Sequence, residues 1–578
     1  MAQEIRTDVC IIGAGPSGLT IARELVGESF DVLVLESGEY EPSAAADDLA
    51  AGHTESPYYG PSAMAGGRRR QFGGTANNWV HVTWPGKSRV YARTMTGEQI
   101  DFETKSWQPG SGWPFDLAEL MPYYDRTHLA WGGAVVNDSP SHWSRATTPE
   151  LTIENTRTTV AQYAPADWFT LRARDELLAA PNVRVEVGST VVSLDGERDG
   201  NAVRSASVVR SDGTSFTVTA QLFVLAGGGV ENSQVLLSSE LCRPGGPGNR
   251  YDNVGRYVTD HPEFRLGALR PSSPDVLENL GLYDLHYVDG QLINGVLTFD
   301  EEYKRAEQLL NVGAVFIPRR SGFNTDAERA FRHLKAEVRG KKGAAALASA
   351  RRLLTNPGET RKVLGMQYEW DGPDWQDNPD AYQWYRGGWS RPGADRSQFP
   401  VLEVHVQTEQ TPERENRLTL SGTKDALGRG RLNLKLGWSE ADQQNLTRYM
   451  DLFARSVERA GLGWFDPWMQ FDGPLRMNLG GIHHPMGGTR MHADPQLGVV
   501  DADSRVHGLE NLYVAGSSVF PTSLGYVNPT LTIVAMSSRL ADHVRATMTG
   551  SAQRIVDLTA VEAVVEAPVE VSEPAQTF

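Results

Sequence analysis

The chain has 578 residues and a formal net charge of −17, with 72 acidic against 55 basic side chains. That length is too great for one simple core and predicts two or three intertwined units, while so acidic a surface repels nucleic-acid phosphates and anionic membranes. The two cysteines, Cys10 and Cys242, can build neither a disulfide framework nor a Cys-rich metal site, so no metal centre is expected.

Residues 1–7 are charged and run straight into a short strand, without the apolar segment of a signal peptide. No apolar run is long enough to span a bilayer. The expectation is a soluble cytoplasmic protein.

Residues 8–12 (DVCII) read as a buried strand. GAGPSG follows at 13–18, then a helical pattern through Leu19, Ile21, Ala22 and Leu25, then a second strand at 31–35 that ends at Glu36. This strand–GxGxxG–helix–strand–acid order is a dinucleotide site. Gly13 permits the tight turn, Gly15 lets the backbone approach a pyrophosphate, and Gly18 allows close helix–strand packing. The helix start at Pro16 and Ser17 faces the phosphates, and Glu36, followed by Ser37, accepts from the adenosine ribose. The motif alone does not separate NAD from FAD. Its place at the start of the chain, followed by Gly-rich stretches and not by further tidy βαβ repeats, favours FAD.

Residues 66–79 read GGRRRQFGGTANNW, where Gly73-Gly74 marks a sharp turn or a close backbone approach. Arg68, Arg69 and Arg70 are open to two readings, phosphate partners or solvated surface. Trp113-Pro114-Phe115 opens a helix with Asp116 as N-cap and Leu117, Leu120, Tyr124 and Leu129 along one face. A helix is expected over 170–180 and one alternating strand over 183–194. A β-meander follows over 203–209 and 215–225, with its turn at Ser211-Asp212-Gly213. The run FVLAGGG at 223–229 ends a buried strand before a helix carrying Leu236 and Leu237. The nucleotide-binding sheet is therefore discontinuous in sequence.

VGRYVTDHP at 254–262 is a glycine turn followed by Asp-His-Pro. The composition then turns β-rich over 264–316, and helical and basic over 326–354. Residues 370–389 hold Trp370, Trp375, Tyr382, Trp384, Tyr385 and Trp389, which either stack on sugar faces or pin a loop or oligomer contact. Strands resume at 401–409, 417–420 and 431–436, and an amphipathic helix over 439–460 starts at Ser439 as N-cap. The segment IHHPMGGTRM at 482–491 and the run ending in GYVNPTL at 525–531 combine a histidine pair, a strand ending in Ala515-Gly516-Ser517, and an Asn528-Pro529 turn before an apolar helix. From about 552 the chain reads as a frayed tail.

These motifs together resemble the glucose–methanol–choline (GMC) family of FAD-dependent oxidoreductases. GAGPSG with Glu36, GGTANNW, WPFDLAELMPYY, FVLAGGGVENSQVLL, VGRYVTDHP, RLTLSGTKDALGRGRLNLKL and the block from His484 to Asp542 carry the resemblance. HPMGGTRM and GYVNPTLT are most similar to the pyranose-oxidase and glycoside 3-oxidase branch, which uses a His–Asn pair. The resemblance implies an α/β FAD-binding Rossmann-type domain from residues 1–60, 166–262 and 476–550. It adds an α+β substrate domain with a mostly antiparallel sheet from 263–475, a flavin-contact and cap segment over 61–165, an insertion at about 321–400, and a flexible tail at 551–578.

It also implies His484 as catalytic base and Asn528 as its partner. At the cofactor it places Gly73, Gly74, Thr75, Asn77 and Asn78, then Val191, Ala226 and Gly227, and finally Ala515, Gly516, Asn528, Pro529 and Thr530. Adjacent residues of an extended segment point to opposite sides, and register with the family motif selects His484 over His483, which is left a structural part. Where some relatives tether FAD through a histidine, this chain has Asn78, so FAD is expected to be non-covalent. Gln407 joins His484 and Asn528 as the expected substrate contact.

The implied reaction is hydride transfer from a secondary ring hydroxyl of a sugar or glycoside, C3 favoured over C2, to flavin N5. A histidine near its ordinary pKa takes the hydroxyl proton, and O2 is reduced to H2O2. Two other readings stand beside it: a sugar dehydrogenase feeding a quinone or a protein acceptor, and a flavin-binding protein without turnover.

Overall fold

The computed structural model describes residues 3–319 except 57, 61–62, 65–66, 80, 85–86 and 198–199; residues 327, 330–331, 334, 338, 343–355 and 357–370; and residues 389–390, 399–467 and 483–550. The side chains of Trp370, Trp375, Tyr382, Trp384 and Tyr385, and the tail beyond 551, lie outside the described residues.

The first glycine motif organises a seven-stranded sheet. Gln3–Ile12 lies between Val32–Leu35 and Ser215–Leu225, parallel to both, with Cys10 opposite Leu33 and Phe223. Val183–Glu186 extends the sheet beyond Val32–Leu35. On the other side, Ser215–Leu225 pairs antiparallel with Val203–Arg210 at its start and parallel with Leu512–Val514 at its end. Runs such as Val32–Leu35 and Leu512–Val514 are buried along their whole length, as expected of a parallel sheet covered on both faces. The sheet thus joins segments about 500 residues apart. The C-terminal helix Thr530–Thr549 lies against Pro16–Glu24, with Ser537 Oγ 2.7 Å from Ser17 Oγ.

The sequence reading joined 183–194 into one strand. The chain instead breaks at Gly188, φ +58°, into Val183–Glu186 and Ser189–Gly196, which pair with different neighbours. In the helix Leu117–Ala130 the buried face is Leu120, Tyr124, Thr127 and His128, while Leu129 is exposed. Asp116 occupies the cap position, but its side chain makes no capping bond. Ser439 does cap the helix Glu440–Arg459, accepting from the Asp442 N–H at 3.0 Å.

A nine-stranded sheet forms the second layer, and its pairings are antiparallel throughout. Two cross-strand pairs within it line the cavity described below: Arg93 opposite Tyr163, and Glu263 opposite Gln407. Val401–Thr408 is buried at every position, between Glu263–Pro271 and Val312–Arg319. A three-stranded sheet of Arg417–Lys424, Gly430–Lys435 and His53–Glu55 completes the fold. Among the described residues no helix is long and apolar enough to cross a membrane.

Candidate active site

A cavity of about 930 Å3 runs from the glycine turn to the near end of the nine-stranded sheet. Gly13, Gly15, Pro16, Ser17, Glu36 and Ser37 line one end, with Val191, Ala226 and Gly227 beside them. Gly74, Thr75, Asn77 and Asn78, then Gly516, Asn528, Pro529 and Thr530, line it further along, and Gln407 and His484 close the far end. Gly18, Gly73 and Ala515 do not line the cavity, although the resemblance placed the last two at the cofactor. Gly18 is buried, and a Cβ there would sit 1.9 Å from the Gly13 carbonyl oxygen, so its role is packing. Gly73 turns at φ +91° and its N–H bonds the Ala14 carbonyl. Ala515 lies behind the wall, its carbonyl accepting from Asn232 Nδ2 at 2.9 Å.

The glycine-turn end is shaped for a phosphate-bearing group. A Cβ added at Gly15 would meet nothing within 4 Å except the Gly74 Cα at 3.9 Å, so its bareness serves the cavity and not the protein's own packing. Glu36 accepts the N–H groups of Ala14 and Gly38, each at 2.8 Å. Burial raises its pKa, and those two bonds oppose the shift. A carboxylate has about four acceptor sites, so capacity remains for a ribose. Arg70 is buried against Ser37, and its Nε and Nη2 have no hydrogen-bond partner among the described residues. That guanidinium edge lies in the cavity wall 3.8 Å from the Glu231 carboxylate and keeps hydrogen-bonding capacity for an anionic or polyhydroxylated ligand. Of the two readings for the arginine triplet, solvated surface fails for Arg68, which pairs with Glu231, and for Arg70. Arg69 is exposed and bonds Asp47 and Asn78.

At the far end, Asp260 holds His484 in place. Its Oδ1 accepts the backbone N–H groups of His484 and His261, both at 2.9 Å, and its Oδ2 accepts the Tyr59 hydroxyl at 2.5 Å. The imidazole of His484 then has three neighbours. Asn528 Nδ2 is 3.3 Å from Nε2; His261 Nδ1 and Gln407 Nε2 are 3.3 and 3.2 Å from Nδ1. Arg93 Nη1 donates to Asn528 Oδ1 at 2.8 Å, which fixes the amide with its NH2 towards His484. His261 Nε2 bonds the Ser523 carbonyl.

Burial pushes the His484 pKa well below the usual histidine value, and the nearby His261, His483 and Arg93 push the same way. The sequence reading placed this histidine near its ordinary pKa; burial and the neighbouring basic side chains favour the neutral imidazole instead. His483 was assigned a structural part, but it is exposed at the cavity rim.

Sequence reasoning missed Arg93, Tyr163, Asp260 and His261, and left Arg70 open between a phosphate partner and solvated surface. VGRYVTDHP was visible as a motif, and its Asp-His pair was the one available signal. Arg93 and Tyr163 reach the site only through strand register, which no local pattern reveals.

A family model for FAD-dependent oxidoreductases matches residues 8–372, and one for GMC oxidoreductases matches 412–537. The chain belongs to the FAD-dependent oxidoreductases and carries the C-terminal part characteristic of the GMC enzymes. It is 23% identical over 610 aligned positions to the 6'''-hydroxyparomomycin C oxidase of Streptomyces lividus, covering 93% of this chain and 92% of that one. It is 36% identical over 121 residues to the C-glycoside 3-oxidase of Microbacterium trichothecenolyticum, 21% of this chain and 22% of that one. Among solved structures it resembles a formate oxidase, with a TM-score of 0.50 and 15% identity over 96% of this chain and 100% of that one. That likeness concerns the fold. The bare Gly15 and the Arg70 edge fit the cofactor that the family implies.

Proposed function

We propose that this protein oxidises a secondary ring hydroxyl of a sugar or glycoside, C3 in preference to C2, with non-covalently bound FAD and with O2 as final acceptor. The observation that carries the reading is the His484–Asn528 pair. A neutral imidazole and a fixed amide NH2 lie side by side where the cavity from the glycine turn meets the nine-stranded sheet. The lining around the pair is polar, with Arg93 on Asn528, Gln407 beside His484, and Tyr163 and Glu263 also at the cavity, and this suits a ligand with many hydroxyls. Both relatives described above are named as oxidases, one of 6'''-hydroxyparomomycin C and one a C-glycoside 3-oxidase, and the second, matched over 21% of this chain, supports the C3 preference.

Residues Gly13–Ser17 and Arg70 would hold the phosphate and ribose end of FAD, and Gly74–Asn78 with Asn528–Thr530 the flavin end. FAD, when bound, supplies the acceptor for the two electrons that leave the carbinol carbon. His484 takes the hydroxyl proton as the carbonyl forms, and such general-base assistance contributes about 10²–10⁴-fold. Its depressed pKa keeps Nε2 unprotonated at neutral pH; without substrate that nitrogen accepts from the Asn528 amide, a bond that the substrate hydroxyl must displace. Asn528 donates to the substrate oxygen without competing for its proton, and Arg93 polarises that amide. Asp260 sets the backbone from which His484 projects. Passing both electrons and both protons to O2 gives H2O2.

The test is anaerobic bleaching of the bound flavin by a panel of free sugars and glycosides, with the product assigned by NMR. A 3-keto product is expected. A 2-keto product, or an aldehyde from a primary hydroxyl, would overturn the C3 assignment, and no bleaching by any member would overturn the substrate class. Turnover in air compared with turnover on a quinone dye separates oxidase from dehydrogenase. Acid precipitation should leave the yellow colour in the supernatant; colour in the pellet would refute non-covalent binding.

A further inference from the structure

We propose that His261 is a positioning residue that fixes the tautomer of His484, holding its proton on Nδ1 so that Nε2, on the Asn528 side at the cavity, is the unprotonated nitrogen. The inference rests on His484 acting as the base.

Two partners, the Ser523 carbonyl and the Arg93 guanidinium, have a hydrogen-bonding sense that cannot be reversed. The Ser523 carbonyl only accepts, so His261 carries its proton on Nε2 and presents a bare Nδ1. That bare nitrogen lies 3.3 Å from His484 Nδ1, with the rings edge-on at 78°. Two lone pairs facing at that distance repel, so the proton between them belongs to His484 Nδ1. From the other side, the Arg93 guanidinium only donates, so Asn528 turns its oxygen to Arg93 and its NH2 to His484 Nε2. An NH2 pointing at Nε2 requires a lone pair there. Both chains of reasoning, begun at opposite ends, give the same tautomer.

Gln407 is the remaining neighbour of Nδ1. Its amide can be turned end for end with little change of shape, and its 3.5 Å contact with Glu263 is too long to fix it. With the tautomer set by the other two contacts, the Gln407 amide must be turned from its placed sense, Nε2 at Nδ1, to offer Oε1 to the Nδ1 proton, which sets that oxygen 3.5 Å from Glu263 Oε1. The charged or titratable groups around His484 are His261, His483, Arg93 and Glu263, with Asp260 reaching only its backbone. Burial holds His261 down at about 4, so it remains an acceptor throughout the neutral range.

When His484 takes the substrate proton, it becomes a donor at both nitrogens. His261 then accepts from the imidazolium at Nδ1 while its own Nε2–H remains on Ser523, a polarised chain that favours the proton-bearing state. Where a tautomer-setting partner is removed from a catalytic histidine elsewhere, the loss is about 10⁴-fold.

The experiment is 15N NMR of the flavin-loaded protein labelled at histidine, with the His484 signals assigned by their absence in His484→Ala. The wild type should show a protonated Nδ1 and a bare Nε2; the reverse assignment overturns the proposal without any substitution at 261. In His261→Leu the tautomer should become mixed. Anaerobic flavin reduction should slow at least ~10²-fold, with flavin content and substrate half-saturation unchanged. His261→Asn, which returns an acceptor oxygen near the lost Nδ1, should recover most of that rate. A His261→Leu rate within ~3-fold of wild type, or an Asn variant no better than Leu, would refute the role, because a group required for general-base catalysis is worth far more. His484→Ala separates the two claims: a wild-type reduction rate there removes the base itself, whereas a slow rate with the wrong wild-type tautomer removes only His261.

Discussion

Replacing Gly15 with alanine separates the demands of the fold from those of the cofactor. Gly15 has φ −83° and ψ −176°, a backbone conformation that alanine adopts without strain. The added methyl would meet only the Gly74 Cα, at 3.9 Å. The flavin-free protein should therefore keep its stability or gain about 0.4–1 kcal/mol from a less flexible unfolded chain. The same methyl points into the volume that a pyrophosphate must enter to reach the N–H groups at the start of Pro16–Glu24. Losing two hydrogen bonds to a charged group costs about 3–6 kcal/mol, or at least ~10²-fold in affinity. Gly18→Ala is the contrast: its methyl would lie 1.9 Å from the Gly13 carbonyl oxygen, and it should destabilise the protein itself by 1–3 kcal/mol or more. The ratio of flavin to protein absorbance, with flavin titration and thermal unfolding of the stripped protein, reads both effects. A Gly15→Ala protein that binds FAD with wild-type affinity would refute the reasoning, as would one whose stripped form melts far below the wild type.

Three further outcomes follow from the active-site geometry. Because the His484 pKa is pushed down, its neutral form persists as the pH falls, so the acid limb of kcat/KM for flavin reduction should lie below 6.5; a limb at or above that value would contradict the burial argument. Arg93→Met removes the donor that orients Asn528, and single-turnover reduction should slow ~10-fold or more at unchanged flavin content, as expected for the loss of one charge-assisted hydrogen bond; an unchanged rate would show that Asn528 needs no such partner. Asp260→Ala strands the Tyr59 hydroxyl and two backbone N–H groups. Unfolding should become easier by roughly 3 kcal/mol or more, since each of the three buried groups left unsatisfied costs about 1–3 kcal/mol; an unaltered denaturation midpoint would mean that water replaces the carboxylate.

The parts legible in the sequence were those where a short stretch must meet a local physical demand. Gly13, Gly15 and Gly18 are spaced for a turn, a ligand and a helix contact, and the structure gives each a different neighbour. Ser439 announces its helix because a cap bond spans three residues. The break at Gly188 was missed because alternation continues through it; only the change of partner from Val32–Leu35 to Val203–Arg210 exposes it. Arg93 and Tyr163 sit on ordinary-looking strands and meet the site through register alone. The Asp260–His261 pair shows the intermediate case: the motif stood out, but its use depends on a contact with residue 484 that sequence separation conceals.

The central claim is that a neutral His484 removes the proton of a sugar hydroxyl as the flavin is reduced. Its most direct test is the anaerobic reduction rate of wild-type and His484→Ala protein, each loaded with FAD and mixed with the best glycoside from the panel. The expected result is normal flavin content in the variant and a rate lowered by about 10²–10⁴-fold. A His484→Ala protein that reduces its flavin at the wild-type rate would contradict the account.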